Sequence, residues 1–75
     1  MDTDGMKSLR INGQMRQFTP EEMPATILAL LEKLGIGSAA VVAEIDGRIV
    51  TPEEFARTAV QEGQTIEFIK FMGGG

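Results

Sequence analysis

Ile66-Glu67-Phe68-Ile69-Lys70-Phe71-Met72 is a mainly apolar run, and Gly73-Gly74-Gly75 follow it at the end of the chain. Such a run predicts a β-strand, and its apolar content suits a central place in a sheet. Because side chains alternate along a strand, placing Glu67 in water sends Phe68 into the core and Ile69 to the opposite face. The stretch therefore predicts a central strand with apolar side chains on both faces.

The three terminal glycines lack a Cβ atom, so they predict a thin, mobile arm beyond the strand. On a functional interpretation, Gly73 and Gly74 can be threaded into a narrow channel of another protein, which would deliver the Gly75 carboxylate to chemistry that takes place there. On the tail alone, a frayed chain end explains the glycines equally well.

Apolar side chains beside the tail predict a surface that docks to a partner. The candidate docking residues are Ile69, Phe71 and Met72. The alternative is that a loop or the hairpin at Asn12-Gly13 covers Ile69 and Phe71. Their position next to the tail favours docking.

A β-hairpin is predicted near the start of the chain, where Asn12-Gly13 separates two runs of alternating polar and apolar residues. A strict two-residue turn would place Arg16 opposite Leu9, on the same face. We therefore predict a bulge or a longer loop that brings Met15 inward instead.

The main helix is predicted to begin after Thr26 as its N-cap and to stop at Gly35. Its apolar residues recur at helical spacing and form one stripe, namely Ile27, Leu30, Leu31 and Leu34. In a chain this small, that stripe is most simply the core face of the helix against a sheet.

The middle of the chain predicts a strand over residues 40–45, a turn at Asp46-Gly47 and a short return strand. Thr51-Pro52-Glu53-Glu54 has the pattern of a capping box, with a proline at the first helical position, and predicts a short helix. Three of the residues that follow are expected to face the core, namely Phe55, Ala59 and Val60.

This order of elements predicts an α+β fold, a β-grasp in which a mixed four- or five-stranded sheet packs on one main helix plus a short helix. The predicted domain covers residues 6–72. Residues 1–5 are interpreted as a loose extension, and residues 73–75 as the flexible tail. With 75 residues, the chain has room for one small core.

Composition argues against an independent enzyme and against a resident metal. The sequence contains no cysteine and no histidine, so the most versatile groups for acid-base and nucleophilic chemistry are missing, together with the best zinc ligands. The charge of -4 and the scattered basic residues disfavour nucleic-acid binding. No stretch approaches the roughly 20 apolar residues of a membrane span, and we expect a cytoplasmic protein.

The chain resembles the ubiquitin-like sulfur carriers, most closely the ThiS type of thiamine biosynthesis. The segments that carry the resemblance are residues 9–14, 26–34, 42–50, 51–56 and 62–68, together with the terminal Gly74-Gly75. They cover nearly the whole chain from Met6 onward.

The resemblance implies a carrier that binds no cofactor itself and acts as a co-substrate of partner enzymes. A ThiF-like adenylating enzyme of the ubiquitin-activating type would use ATP and magnesium to convert the Gly75 carboxylate into an acyl-adenylate. A sulfur donor such as a cysteine desulfurase would then supply the sulfur of a thiocarboxylate. A ThiG-like thiazole synthase would receive that sulfur.

Other functions remain open on the sequence. The small subunit of molybdopterin synthase shares this fold, tail and chemistry. An unmodified β-grasp interaction module and a protein modifier attached to lysines are further alternatives. An enzyme ranks last, because Glu21-Glu22 and Glu53-Glu54 are better explained as helix-start or solvated charges than as catalytic pairs.

Overall fold

The computed structural model describes residues 5–70 of the chain. These residues form five strands, one α-helix and two short 3-10 helices. In chain order they are β1 (Lys7–Ile11), β2 (Gln14–Phe18), α1 (Ile27–Leu34), the first 3-10 helix (Ser38–Ala40), β3 (Val41–Ile45), β4 (Arg48–Val50), the second 3-10 helix (Pro52–Arg57) and β5 (Thr65–Lys70). The predicted extension falls mainly on residues 1–4, which lie outside this range.

The five strands form one mixed sheet in the order β2-β1-β5-β3-β4. The last strand, β5, is central, and it runs parallel to β1 and antiparallel to β3. The helix α1 covers one face of the sheet. The predicted β-grasp architecture is therefore confirmed, with five strands.

The core lies between α1 and the sheet. Three residues of the predicted helical stripe, Ile27, Leu30 and Leu31, are fully buried, whereas Leu34 is half-buried at the end of the helix. The remaining buried side chains are Leu9, Ile11, Phe18, Val41, Ala43, Ile45, Val50, Phe55, Val60 and Ile66. Burial of each large aliphatic side chain contributes about 1.5–3 kcal/mol, so this stripe supplies much of the stability of so small a domain.

Both ends of α1 form as predicted. The Thr26 Oγ1 atom accepts a hydrogen bond from the backbone N–H of Ala29 at 3.1 Å. Gly35 adopts the left-handed region with φ of 75°, and the N–H of Ile36 donates to the carbonyl of Leu31 at 3.0 Å. These contacts satisfy backbone groups that the ends of a helix otherwise leave unpaired.

The prediction of a bulge in the first hairpin is wrong. Leu9 lies opposite Arg16 in a strict two-residue turn, and Met15 is 57% exposed on the other face. Asn12 and Gly13 have φ of 52° and 83°, the geometry of a tight hairpin turn that matches the twist of the strands. Arg16 is tolerated on the helix side because β2 is an edge strand, where that position stays open to solvent.

The predicted capping box is not formed either. Thr51 occupies the N-cap position, but its side chain accepts no hydrogen bond from the backbone, and the segment that follows is a 3-10 helix. Instead, the N–H of Glu54 donates to the carbonyl of Thr51 at 2.9 Å. A 3-10 helix is built from hydrogen bonds between residues i and i+3, so the Thr51 carbonyl, in place of its hydroxyl, accepts the hydrogen bond from the Glu54 N–H.

Phe55 and Val60 are buried as predicted, whereas Ala59 is exposed. Ala59 does not belong to the 3-10 helix but to an extended segment that forms a bridge with Thr26. The N–H of Ile27 donates to the carbonyl of Thr58 at 3.0 Å. This segment therefore fixes the start of α1 through main-chain bonds, and its alternation places Val60 inward and Ala59 outward.

Candidate functional site

The C-terminal half of β5 is the part of the described chain that leads into the glycine tail. Its side chains alternate as predicted: Ile66 is fully buried, Phe68 packs partly against the core, and Ile69 is 43% exposed on the opposite face. The other predicted docking residues, Phe71 and Met72, lie outside the described residues. The tail residues, Gly73–Gly75, lie outside them too.

A small apolar surface surrounds Ile69 on the sheet face that α1 does not cover. Ile69 lies opposite Val42 of β3, and Ile49 of β4, which is 56% exposed, lies diagonally across from Val42. Residues in such opposite and diagonal positions approach within about 4.5–8 Å. We call Val42, Ile49 and Ile69 the outer-face patch.

Met15 lies on the same sheet face as the outer-face patch but apart from it. It pairs with Arg10, which in turn lies beside Thr65 at the start of β5. Thr65 and Ile69 are separated by four residues, or about 13 Å along a strand. Met15 is therefore an exposed apolar residue at the far end of the face.

Two carboxylates border the outer-face patch. Glu44 of β3 lies directly opposite Glu67 of β5, and Ile49 lies opposite Glu44 on its other side. Glu44 is half-buried and Glu67 is exposed. The centre of this face therefore combines apolar contact area with negative charge.

Two hairpin-turn side chains hold β5, one at each end of the strand. Asn12 Oδ1 accepts a hydrogen bond from the N–H of Phe68 at 2.9 Å. Asp46 Oδ1 accepts one from the N–H of Thr65 at 3.0 Å. Asn12 and Asp46 both precede a glycine and have positive φ, so the same turn geometry aims both side chains at the central strand.

Residues 5–70 enclose no pocket and contain no group of three or more acidic side chains that could hold a metal ion. Every buried side-chain polar atom in this range has a hydrogen-bond partner. No helix among these residues is long and apolar enough to cross a bilayer. What the described chain offers chemically is an exposed surface beside a strand end.

A mixed sheet on one helix, with the last strand central and parallel to the first, defines a small ubiquitin-like β-grasp protein. Comparison with known proteins identifies the family more closely. Residues 9–75 match the ThiS family, so the chain belongs to that family.

Individual relatives agree with this assignment. A crystal structure of a thiamine biosynthesis protein (ThiS) from Geobacter metallireducens is 33% identical, with a TM-score of 0.75 over 91% of this chain and 99% of that one. An NMR structure of a thiamine biosynthesis protein from the same organism is 32% identical, with a TM-score of 0.68 over 91% and 87%.

A thiazole synthase from Paramagnetospirillum magneticum is 39% identical over 67 residues, which make up 89% of this chain. The same residues amount to 20% of that protein. This chain therefore spans about a fifth of the length of the curated relative it matches.

Sequence reasoning identified Ile69 but missed Ile49 and Val42 of the outer-face patch, and it did not predict that the turn residues Asn12 and Asp46 bond to β5. The signal for Ile49 was present, because a two-residue turn at Asp46-Gly47 fixes which side chains of β4 face outward. The two turn side chains carried a weaker signal. Asn and Asp are common in such turns for their backbone conformation alone, and a hydrogen bond over a sequence separation of 56 residues leaves no local pattern.

Proposed function

We propose that this chain is a sulfur carrier, in which the carboxylate of Gly75 is converted to a thiocarboxylate that later donates its sulfur. The observation that carries the proposal is the extent of the family match, which begins in β1 and continues through Gly75. The match therefore includes the tail as well as the β-grasp domain. Such a carrier needs a folded domain that partners recognise and a carboxylate that they can reach.

Activation of the carboxylate is the first step. On a ThiF-like adenylating enzyme, a Gly75 carboxylate oxygen attacks the α-phosphorus of ATP, and the bond to pyrophosphate breaks. Magnesium and basic groups of the partner stabilise the charge on the phosphates. The product is an acyl-adenylate, in which the carboxyl carbon now carries AMP as a good leaving group.

Sulfur then replaces the activated oxygen. The terminal sulfur of a persulfide, formed on a protein cysteine by a cysteine desulfurase, attacks the acyl carbon, and AMP leaves. A second thiol cleaves the resulting acyl disulfide, which releases the Gly75 thiocarboxylate and leaves a disulfide between the two thiols. This chain has no cysteine, so both thiols belong to partners.

The outer-face patch is the proposed docking surface for these partners, together with Phe71 and Met72, which follow β5 in the sequence. Ile69 is the anchor of this surface, because it belongs to the strand from which the tail continues. Gly73 and Gly74 are proposed to thread the channel of the partner, where a Cβ atom would obstruct the path.

The proposed sulfur acceptor is the thiazole ring that a ThiG-like thiazole synthase builds. The similarity to a protein named thiazole synthase supports this assignment, because a segment like this chain occupies about a fifth of that relative. A carrier and the synthase that receives its tail benefit from being joined in one chain, because covalent linkage raises the effective concentration of the tail at the synthase.

Intact-mass analysis tests the proposal. The chain is incubated with a ThiF-like enzyme, ATP, magnesium, a cysteine desulfurase, cysteine and a thiol. We expect a mass increase that corresponds to the exchange of one oxygen for sulfur at the C-terminus. Removal of Gly75 should abolish this product while leaving thermal unfolding nearly unchanged, because the last strand of the sheet ends at Lys70, five residues earlier in the sequence.

Matched glycine variants sharpen the test. Gly74→Ala should block product formation, whereas Gly37→Ala should not, since a Cβ atom at Gly37 meets nothing within 4 Å. Sulfur incorporation into the chain that lacks Gly75 would refute the proposal. A stable complex with a molybdopterin synthase large subunit in place of thiazole synthase would reassign the acceptor.

A further inference from the structure

At the end of the pairing between β1 and β5, the side chain of Asn12 takes the place of a main-chain acceptor. The N–H of Asn12 still donates to the carbonyl of Ile66 at 2.9 Å, as the parallel ladder requires. The chain then enters the turn with positive φ, so the Asn12 main chain leaves the ladder. Its side-chain oxygen accepts the next hydrogen bond, from the N–H of Phe68 at 2.9 Å.

We propose that Asn12 is a positioning residue for delivery of the Gly75 carboxylate to the adenylating enzyme, an inference that rests on the proposed function. Through its bond to Phe68, Asn12 fixes the end of β5 that carries Ile69 and continues into the tail. Asn12 itself does not touch the reacting atoms.

The two edges of β5 show why this bond matters. On the β3 side, pairing continues to Lys70, which lies opposite Val41. On the β1 side, the last strand pair is Ile11 with Ile66. Within residues 5–70, the Asn12 side chain therefore provides the last hydrogen bond between this edge of β5 and its neighbour. Without it, the strand from Phe68 onward is held from one side only.

The turn does not require the Asn12 side chain for its own sake. A glycine would adopt φ of 52° at no steric cost, and Gly-Gly is a favoured sequence for such turns. What asparagine adds is an acceptor oxygen at the end of a short side chain that tolerates the left-handed region. The acceptor acts on β5 at Phe68, in the C-terminal half of the strand, and the chain continues from this half toward Gly75.

The second hairpin provides a matched control within the same protein. Asp46 has φ of 50°, precedes a glycine and donates its N–H to the carbonyl of Thr65 at 2.9 Å. Its Oδ1 atom accepts from the N–H of the same Thr65 at 3.0 Å. Asp46 thus holds the first residue of β5 by the same kind of hydrogen bond, whereas Ile69 lies near the other end of the strand.

Three variants test the inference: Asn12→Gly, Asp46→Gly and Asn12→Asp. Both glycine variants keep the turn and its main-chain bond to β5 and lose one side-chain acceptor. Asn12→Asp retains an acceptor oxygen in the same place. The rate of adenylation is measured as the release of pyrophosphate in the presence of a ThiF-like enzyme and ATP. The temperature is one at which all three variants are folded.

We expect Asn12→Gly to raise the carrier KM about threefold to tenfold at unchanged kcat, the range that corresponds to the loss of one net hydrogen bond. The frayed strand end must be ordered on binding, which lowers apparent affinity. Asp46→Gly should leave KM unchanged despite a similar fall in thermal stability, and Asn12→Asp should restore the wild-type KM. Amide exchange should quicken at Phe68 in Asn12→Gly alone.

The outcomes separate the two proposals. If the wild-type chain supports no pyrophosphate release, the proposed function fails, and the positioning role fails with it. If the wild-type chain is activated and Asn12→Gly has the same KM as Asp46→Gly, only the positioning role is overturned. Failure of Asn12→Asp to restore KM would overturn it as well.

Discussion

Glu44 of β3 and Glu67 of β5 lie directly opposite one another on the exposed face of the sheet. Side chains in this arrangement have Cβ atoms about 5 Å apart, and like charges there are destabilising. The register that creates the pair cannot easily shift, because Asn12 and Asp46 hold β5 at its two ends. The sheet therefore retains an electrostatic cost at its centre.

We predict that Glu67→Gln stabilises the protein by about 0.2–1 kcal/mol, because it removes the repulsion and keeps the shape of the side chain. The gain should shrink as salt is added, since ions screen exposed charges. Urea unfolding at low and high ionic strength measures both effects. Glu62→Gln is the control, because the Glu62 carboxylate lies 3.7 Å from the Lys7 ammonium, so the substitution removes an attraction between charges. Equal gains in the two variants would contradict the prediction.

The outer-face patch makes a prediction about binding rather than stability. Ile69→Ala should weaken binding to a ThiF-like enzyme about tenfold, since an apolar anchor at the centre of an interface contributes more than 1 kcal/mol. Unfolding should change by about 0.5 kcal/mol or less, as for other exposed positions. Calorimetric titration and thermal unfolding measure the two quantities.

Met15→Ala is the matched control for Ile69→Ala. Met15 is more exposed than Ile69, at 57% against 43%, and lies on the same sheet face. Met15 differs from Ile69 in its position, because it lies on the edge strand β2, opposite Arg10. We expect its truncation to leave binding unchanged. Equal losses in the two variants would show that the whole face binds, or that neither residue anchors the partner.

The fold was largely predictable from the sequence. The helical stripe from Ile27 to Leu34 and the two turns at Asn12-Gly13 and Asp46-Gly47 are local patterns, and they predicted α1 and the two hairpins correctly. The prediction of the register of the first hairpin failed because it considered only which side chains should be buried. An edge strand such as β2 tolerates Arg16 on the helix side, and this tolerance depends on where the other strands lie.

The candidate site was predictable only where alternation decided it. Glu67 fixed the direction of Ile69 by the period of two, and the structure confirms that direction. Asn12 could not be identified in this way, because its partner Phe68 is distant in sequence and the contact depends on the parallel pairing of β1 with β5. The role predicted for the tail residues Gly73–Gly75 remains a prediction.

The two threonine N-caps should differ in their contribution to stability. Thr26→Val should cost about 0.5–2 kcal/mol, because the Oγ1 atom of Thr26 accepts from Ala29 N–H and valine keeps only the shape. Thr51→Val should cost less than about 0.5 kcal/mol, because the Thr51 side chain makes no such bond. Urea unfolding of both variants checks this, and equal costs would contradict it.

Thr51 instead acts on the carboxylate of Glu53. The N–H of Glu53 itself and the Thr51 side chain both form hydrogen bonds to this carboxylate, and together they lower its pKa. Because the folded-state pKa is below the unfolded one, the associated stabilisation is present at neutral pH and is lost as the pH falls through the folded-state value.

We therefore predict that Thr51→Val raises the pKa of Glu53 toward its ordinary value without reaching it, since the backbone bond remains. Titration of the Glu53 carboxyl carbon by NMR measures the midpoint. Thr58→Val is the control, because the Thr58 hydroxyl donates to the carbonyl of Glu54 at 2.7 Å instead. An unchanged Glu53 midpoint in Thr51→Val would mean that the backbone N–H alone lowers this pKa.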